Sequence, residues 1–122
     1  MNSKQVIISW EECLNSASLN NLVDLYSRDA VLWGTFSKVI RNNSDLIREY
    51  FQELFKKRDL KVSFNASFNR VYEDTHLYSG TYKFSYKDEE LIIINARYTF
   101  VICKDSNDKY KIVEHHSSVI PG

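Results

Sequence analysis

The side chains with the most chemical capacity in this chain crowd near its end, in KIVEHHSSVIP, residues 111–121. Two imidazoles stand beside two hydroxyls. An imidazole works as a general base near neutrality or as a metal ligand, and hydroxyls orient water and oxyanions. The stretch reads as a strand, and strand side chains alternate between faces. Lys111, Val113, His115 and Ser117 then share one face, and Ile112, Glu114, His116 and Ser118 share the other. Adjacent histidines therefore point apart. A zinc ion needs at least three protein ligands at about 2.0–2.3 Å, and His76 is the only other histidine. No metal and no other cofactor is expected. The two His-Ser pairs remain, either of which can serve a pocket.

Three further residues join them as candidates. Arg97 interrupts the strand-like INARYTFVIC on the face of Ile93, Asn95, Thr99 and Val101; the opposite face, Ile94, Ala96, Tyr98, Phe100 and Ile102, is wholly apolar or aromatic. The Arg97 face is either solvated or lines a polar cavity. Tyr50 sits in an apolar helical stripe, where its phenol needs a partner if buried. Thr35 follows Gly34, which marks a bulge or a place where something approaches the backbone closely.

The elements that must position these groups are legible from periodicity. Helices are expected over residues 4–17 (Val6, Ile7, Trp10, Cys13, Leu14, Ala17), 20–27 and 45–57 (Leu46, Ile47, Tyr50, Phe51, Leu54, Phe55). Ser18 or Asn20 would cap the second and Asn43 or Ser44 the third. Strands are expected over 29–36, 60–72, 76–86, 91–103 and 109–120, with Val62, Phe64, Ala66 and Phe68 sharing a face in the second. KDSNDK is the turn before the last strand. Helices first and strands after argue an α+β domain. A curved antiparallel sheet wrapped around the N-terminal helices makes a cone-shaped barrel with one open end.

Residues 1–122 read as a single domain. Sixteen basic and sixteen acidic residues give zero formal charge. With no basic patch, nucleic acid is not an expected partner, nor is a membrane, since the longest apolar run is Leu91–Ile94. The N-terminus lacks the apolar region of a signal peptide, so a cytoplasmic location is expected. Cys13 and Cys103 then read as small apolar fillers rather than a disulfide.

DLYSRDAVLWGTFS (24–37), IREYFQELF (47–55) and ARYTFVICKDSNDKYKIVEHHSSVIP (96–121) together resemble the association-domain-like branch of the nuclear transport factor 2/SnoaL-like superfamily. That branch includes the hub domain of calcium/calmodulin-dependent protein kinase II. The resemblance implies the same cone-shaped, cystatin-like fold, and homodimers formed through the outer face of the sheet. The HHSSxxP ending is most similar to the iota-class carbonic anhydrases, which include metal-free enzymes. By that resemblance Thr35, Tyr50 and a histidine-serine pair two residues apart are catalytic. The pair is His115 with Ser117 or His116 with Ser118, and the first is favoured because the hub's pocket arginine falls at the position of Ser117. Arg97 also falls where the hub has a pocket arginine, and so would bind substrate. Glu114, Tyr110 and Trp33-Gly34 depart from the family pattern.

The implied activity is metal-independent hydration of carbon dioxide to bicarbonate, with His115 as base, Ser117, Tyr50 and Thr35 orienting water and substrate, and Arg97 stabilising bicarbonate. A non-catalytic domain binding a small carboxylate, or serving oligomerisation, is the alternative. A proton shuttle of the ketosteroid isomerase type would need a carboxylate in the cone. Asp24, Asp29 and Glu114 are available, and alternation points none of them inward.

Overall fold

The computed structural model describes residues 1–122. Helix α1 spans Ser3–Asn15, α2 Leu19–Asp24 and α3 Ser44–Leu54. Strands are β1 Tyr26–Trp33, β2 Arg58–Tyr72, β3 Thr75–Asp88, β4 Glu90–Lys104 and β5 Tyr110–Val119. Their order in the single sheet is β1-β5-β4-β3-β2. The chain is thus α+β, as its periodicities indicate. The sheet is not wholly antiparallel, however, because β1 runs parallel to β5. α3 and the three long strands lie between them, which gives the chain room to return in the same direction.

Helices α1 and α3 begin where a side chain satisfies orphan backbone donors, whereas α2 starts at Ser18 without the side-chain cap expected from Ser18 or Asn20. Asn2 and Gln5 form a reciprocal capping box on α1, at 2.9 and 2.7 Å. Asn43 accepts from the Leu46 amide at 2.9 Å at the start of α3. At the end of α1, Asn15 imitates a strand: its side chain donates to the Val62 carbonyl and accepts from the Val62 amide. That occupies the free edge of β2 where it meets the helix. The inner face of the sheet and the helices bury Trp10, Phe51, Tyr82, Phe100, Leu32 and Ile112 in one core.

Two bulges change which side chains reach that core. The β2–β3 register shifts between Phe64 and Ala66, so Phe68, expected to share the inner face, is turned out and 65% exposed. The β4–β5 register shifts between Val101 and Ile102, leaving Val113 as the extra residue. Ile112 is therefore buried on the same side as His115, against simple alternation. From His115 onward the expected alternation holds: His115 and Ser117 are buried, whereas His116 is exposed.

Strand β1 begins three residues earlier than periodicity suggests and ends at Trp33. Tyr26, expected in the second helix, opens the strand instead. Gly34 and Thr35 begin a turn in which the Ser37 amide donates to the Gly34 carbonyl. The chain folds back so that Arg41 bridges Leu32.

Candidate functional site

The inner face of β5 brings His115 and Ser117 under α1 and beside the Thr35 turn. His115 is 2% exposed, stacked on Phe100 at 3.9 Å and edge-on to Trp10 at 5.5 Å. Burial first, and then the charge of His116, pull its pKa down to about 3. The ring is neutral at physiological pH and carries one proton.

The position of that proton follows from its neighbours. The Trp10 indole can only donate, and it donates to the Tyr26 hydroxyl at 3.0 Å. The other partner of Tyr26 is His115 Nδ1 at 2.8 Å, so the phenol donates there. Nδ1 is then an acceptor, and the imidazole proton sits on Nε2, which donates to the Tyr82 oxygen at 3.2 Å. Tyr82 donates to Ser117 Oγ at 2.5 Å. Either hydroxyl can donate between Ser117 and Thr35 Oγ1. Because Tyr82 already donates to Ser117, whose own proton has no other partner, Ser117 is the donor. Six groups thus form one directed chain, from Trp10 through Tyr26, His115, Tyr82 and Ser117 to Thr35, and the Thr35 proton is left over at its end. Such chains polarise in one sense and strengthen the terminal donor.

Burial raises the pKa of Tyr26 and of Tyr82 well above the ordinary tyrosine range, which keeps both phenols in their donor form. No buried side-chain nitrogen or oxygen lacks a hydrogen-bond partner.

Tyr50 reaches the same region without joining the chain. Burial raises its pKa to about 12, and its hydroxyl accepts only a long bond, 3.5 Å, from the Phe36 amide. A Cβ on Gly34 would lie 2.3 Å from the Tyr50 ring, so the glycine is where the phenol approaches the backbone. The cavity between Tyr50, Gly34, Trp10, His115 and Ser117 holds only about 10 Å³, roughly the space one water needs. Thr35 and Ser117 also border a surface groove of about 280 Å³, with Lys38 and His116 on its rim. The end of the hydrogen-bond chain therefore meets solvent.

Of the residues singled out in the sequence, Thr35, His115 and Ser117 come together, and Tyr50 packs beside them. Arg97 does not. It pairs in register with Ser118 on the outer face, and its Nε donates to Ser118 Oγ at 3.3 Å. The sheet separates it from His115, so it cannot serve the cone as expected. Alternation itself implied this, since Arg97 lies opposite the apolar face of β4. His115 also does not fit the role of base, because both ring nitrogens are engaged and the low pKa disfavours protonation.

Trp10, Tyr26 and Tyr82 were not foreseen as site residues. The signal available for them was chemical: buried phenols and indoles need hydrogen-bond partners. No three His, Cys, Asp or Glu side chains converge anywhere in the structure. Glu114 lies on the outer side and accepts from Trp33 Nε1 at 3.1 Å. Asp24 and Asp29 are exposed, so no carboxylate enters the cone. No helix is long and apolar enough to cross a membrane.

Comparison with known proteins agrees with this architecture. Residues 4–121 match the calcium/calmodulin dependent protein kinase II association domain family. A Xanthomonas campestris protein named for that association domain is 31% identical; the match covers 95% of this chain and 84% of that one, with a TM-score of 0.86. A nuclear transport factor 2-like superfamily protein from Salmonella enterica superposes with a TM-score of 0.83 at 16% identity, over 97% and 88% of the two chains. A ketosteroid isomerase-like protein from Erwinia carotovora gives 0.80 at 13% identity, over 98% and 94%. The last two likenesses are of fold alone. No curated protein matches the chain.

Proposed function

Because the chain belongs to the calcium/calmodulin-dependent protein kinase II association-domain family, on a nuclear transport factor 2-like fold, we propose that it is a homo-oligomeric member whose cone edge hydrates carbon dioxide. The observation that carries this reading is the directed chain ending on the unspent Thr35 proton. Water entering by the surface groove attacks the carbon of carbon dioxide. A C–O bond forms, and a C=O electron pair moves onto the oxygen nearest Thr35. That oxygen gains negative charge and accepts the Thr35 hydroxyl proton in a hydrogen bond, with Ser117, Tyr82 and His115 behind it. The proton released by the water leaves to solvent through the groove, and bicarbonate departs.

His115 acts in this reading as a positioning donor: its Nε2 proton sets the direction of everything downstream. Tyr50 limits the space beside Gly34. One oriented donor of the oxyanion-hole kind contributes about 10²–10³-fold, so a modest hydratase is expected. In a stopped-flow hydration assay on chelator-treated protein, Thr35→Val and Tyr82→Phe should each lower kcat by at least about tenfold with the fold intact. Wild-type protein no faster than buffer would sink the reading.

One observation favours a second reading. With about 10 Å³ free, the closed cone has room for one water and not for substrate as well. A non-catalytic association domain needs nothing more. It predicts a defined oligomer by light scattering together with no hydration by wild type or variants. A monomer at all concentrations would exclude it.

A further inference from the structure

The second His-Ser pair is left unused by the cone, and it lies beside the arginine that the cone also leaves out. On the outer face, three neighbouring strands align Ser79 with Thr99 and Thr99 with His116, and Arg97 with Ser118. Ser79, Arg97, Thr99, His116 and Ser118 line a shallow hollow of about 280 Å³. Apart from its one bond to Ser118, the Arg97 guanidinium has no hydrogen-bond partner, and it enters none of the four ion pairs of the chain. His116 forms no hydrogen bond and leans on Trp33 at 6.4 Å.

A carboxylate on the next strand would pair favourably with an arginine on a sheet face. Here the cross-strand neighbours are hydroxyls. The outward acid nearest along β5, Glu114, is engaged by the Trp33 indole and is not part of the lining. The hollow therefore gathers a planar guanidinium fork, an imidazole and three hydroxyl donors with no carboxylate among them.

We propose that this hollow binds a small oxyanion, a carboxylate or a phosphate. The free edge of Arg97 takes two oxygens in the fork geometry that guanidinium favours. His116 and the hydroxyls of Thr99 and Ser118 take the remaining lone pairs. The site shares His116 and Ser118 with the groove at Thr35, but its central cation is on the other side of the sheet from His115. A second copy packed on this face would enclose the hollow, and with it any oxyanion held there. The proposal does not depend on hydratase activity.

Titration of uniformly ¹⁵N-labelled protein with sodium acetate and with sodium phosphate, against sodium chloride at equal ionic strength, tests it. Saturable amide shifts are expected at Ser79, Arg97, Thr99, His116 and Ser118. The salt that binds more tightly identifies the anion class. Arg97→Ala should weaken binding at least about tenfold, since it removes the charged fork that holds two of the oxygens. Arg97→Lys should recover part of it, and Thr35→Val should leave it unchanged. Arg97 is exposed, so these variants should fold, which their amide spectra verify. No saturable shift with either salt overturns the proposal. So does affinity unchanged in Arg97→Ala, or shifts centred on Thr35 that Thr35→Val removes.

Discussion

Acidifying the wild-type protein from pH 6.5 to 4.5 should remove about 2.3 kcal/mol of folding stability through His115 alone. The unfolded imidazole has a pKa of about 6.5, while burial holds the folded one at about 3. Between those values the unfolded chain binds a proton that the folded chain does not. Stability from this group is fully present above about pH 7.5. It falls by about 1.4 kcal/mol for each unit of acidification and levels off below about pH 3. Urea unfolding at several pH values measures the slope. His115→Gln should flatten it between pH 4.5 and 6.5, whatever that variant costs at pH 7. His116→Gln should keep most of it, because burial outweighs the neighbouring charge as a cause. Equal slopes in wild type and His115→Gln would refute the neutral, buried imidazole. The hydrogen-bond directions derived from it would fall as well.

Gly80→Ala should cost about 3 kcal/mol or more, at the upper end of overpacking. A Cβ at Gly80 would stand 1.9 Å from the Ala66 carbonyl oxygen and 2.6 Å from its carbon. Those are backbone atoms of the neighbouring strand, so no rotamer change relieves the overlap. Gly80 faces the bulge in β2, where the strand coils across the inner face. The Ala66 carbonyl also accepts from Tyr98 Oη at 3.1 Å, which fixes it from a third strand. Loss of the side chain at this one position lets the sheet bend enough to close the cone. Thermal unfolding of the variant measures the cost. A midpoint within a few degrees of wild type would show that the sheet can relax there, and that its curvature has another source. Where the neighbour is a side chain, as at Gly34 against Tyr50, a smaller penalty is expected.

Much of the architecture was legible because it depends on local period. The faces of α1 and α3 follow from spacings of three and four, and Asn43 announces its helix by its ability to accept the Leu46 amide. The separation of His115 and Ser117 from His116 and Ser118 follows from alternation over four residues, a stretch too short to contain a bulge. Thr35 and Tyr50 stood out locally, beside Gly34 and within an apolar helical stripe, but their place in one site came only through resemblance. Their meeting beside Gly34 joins a turn to a helix, and no spacing within either segment encodes it.

The amino-acid order by itself determined the α+β class, the helix faces, the outward arginine on β4 and the inability of two adjacent histidines to share a ligand. These are properties of neighbours along the chain, fixed by backbone geometry within a few residues. The tertiary structure alone decided the rest. It inserted an extra residue at Val113 and in β2, reversing the faces beyond each bulge and turning Phe68 outward. It set β1 parallel to β5, which carries Tyr26 to His115 across 89 positions of sequence. It also chose the direction of the proton chain, because only the packed core places a donor-only indole behind Tyr26. A hydrogen bond takes its sense from every partner around it, and those partners come from four separate elements and the turn after β1.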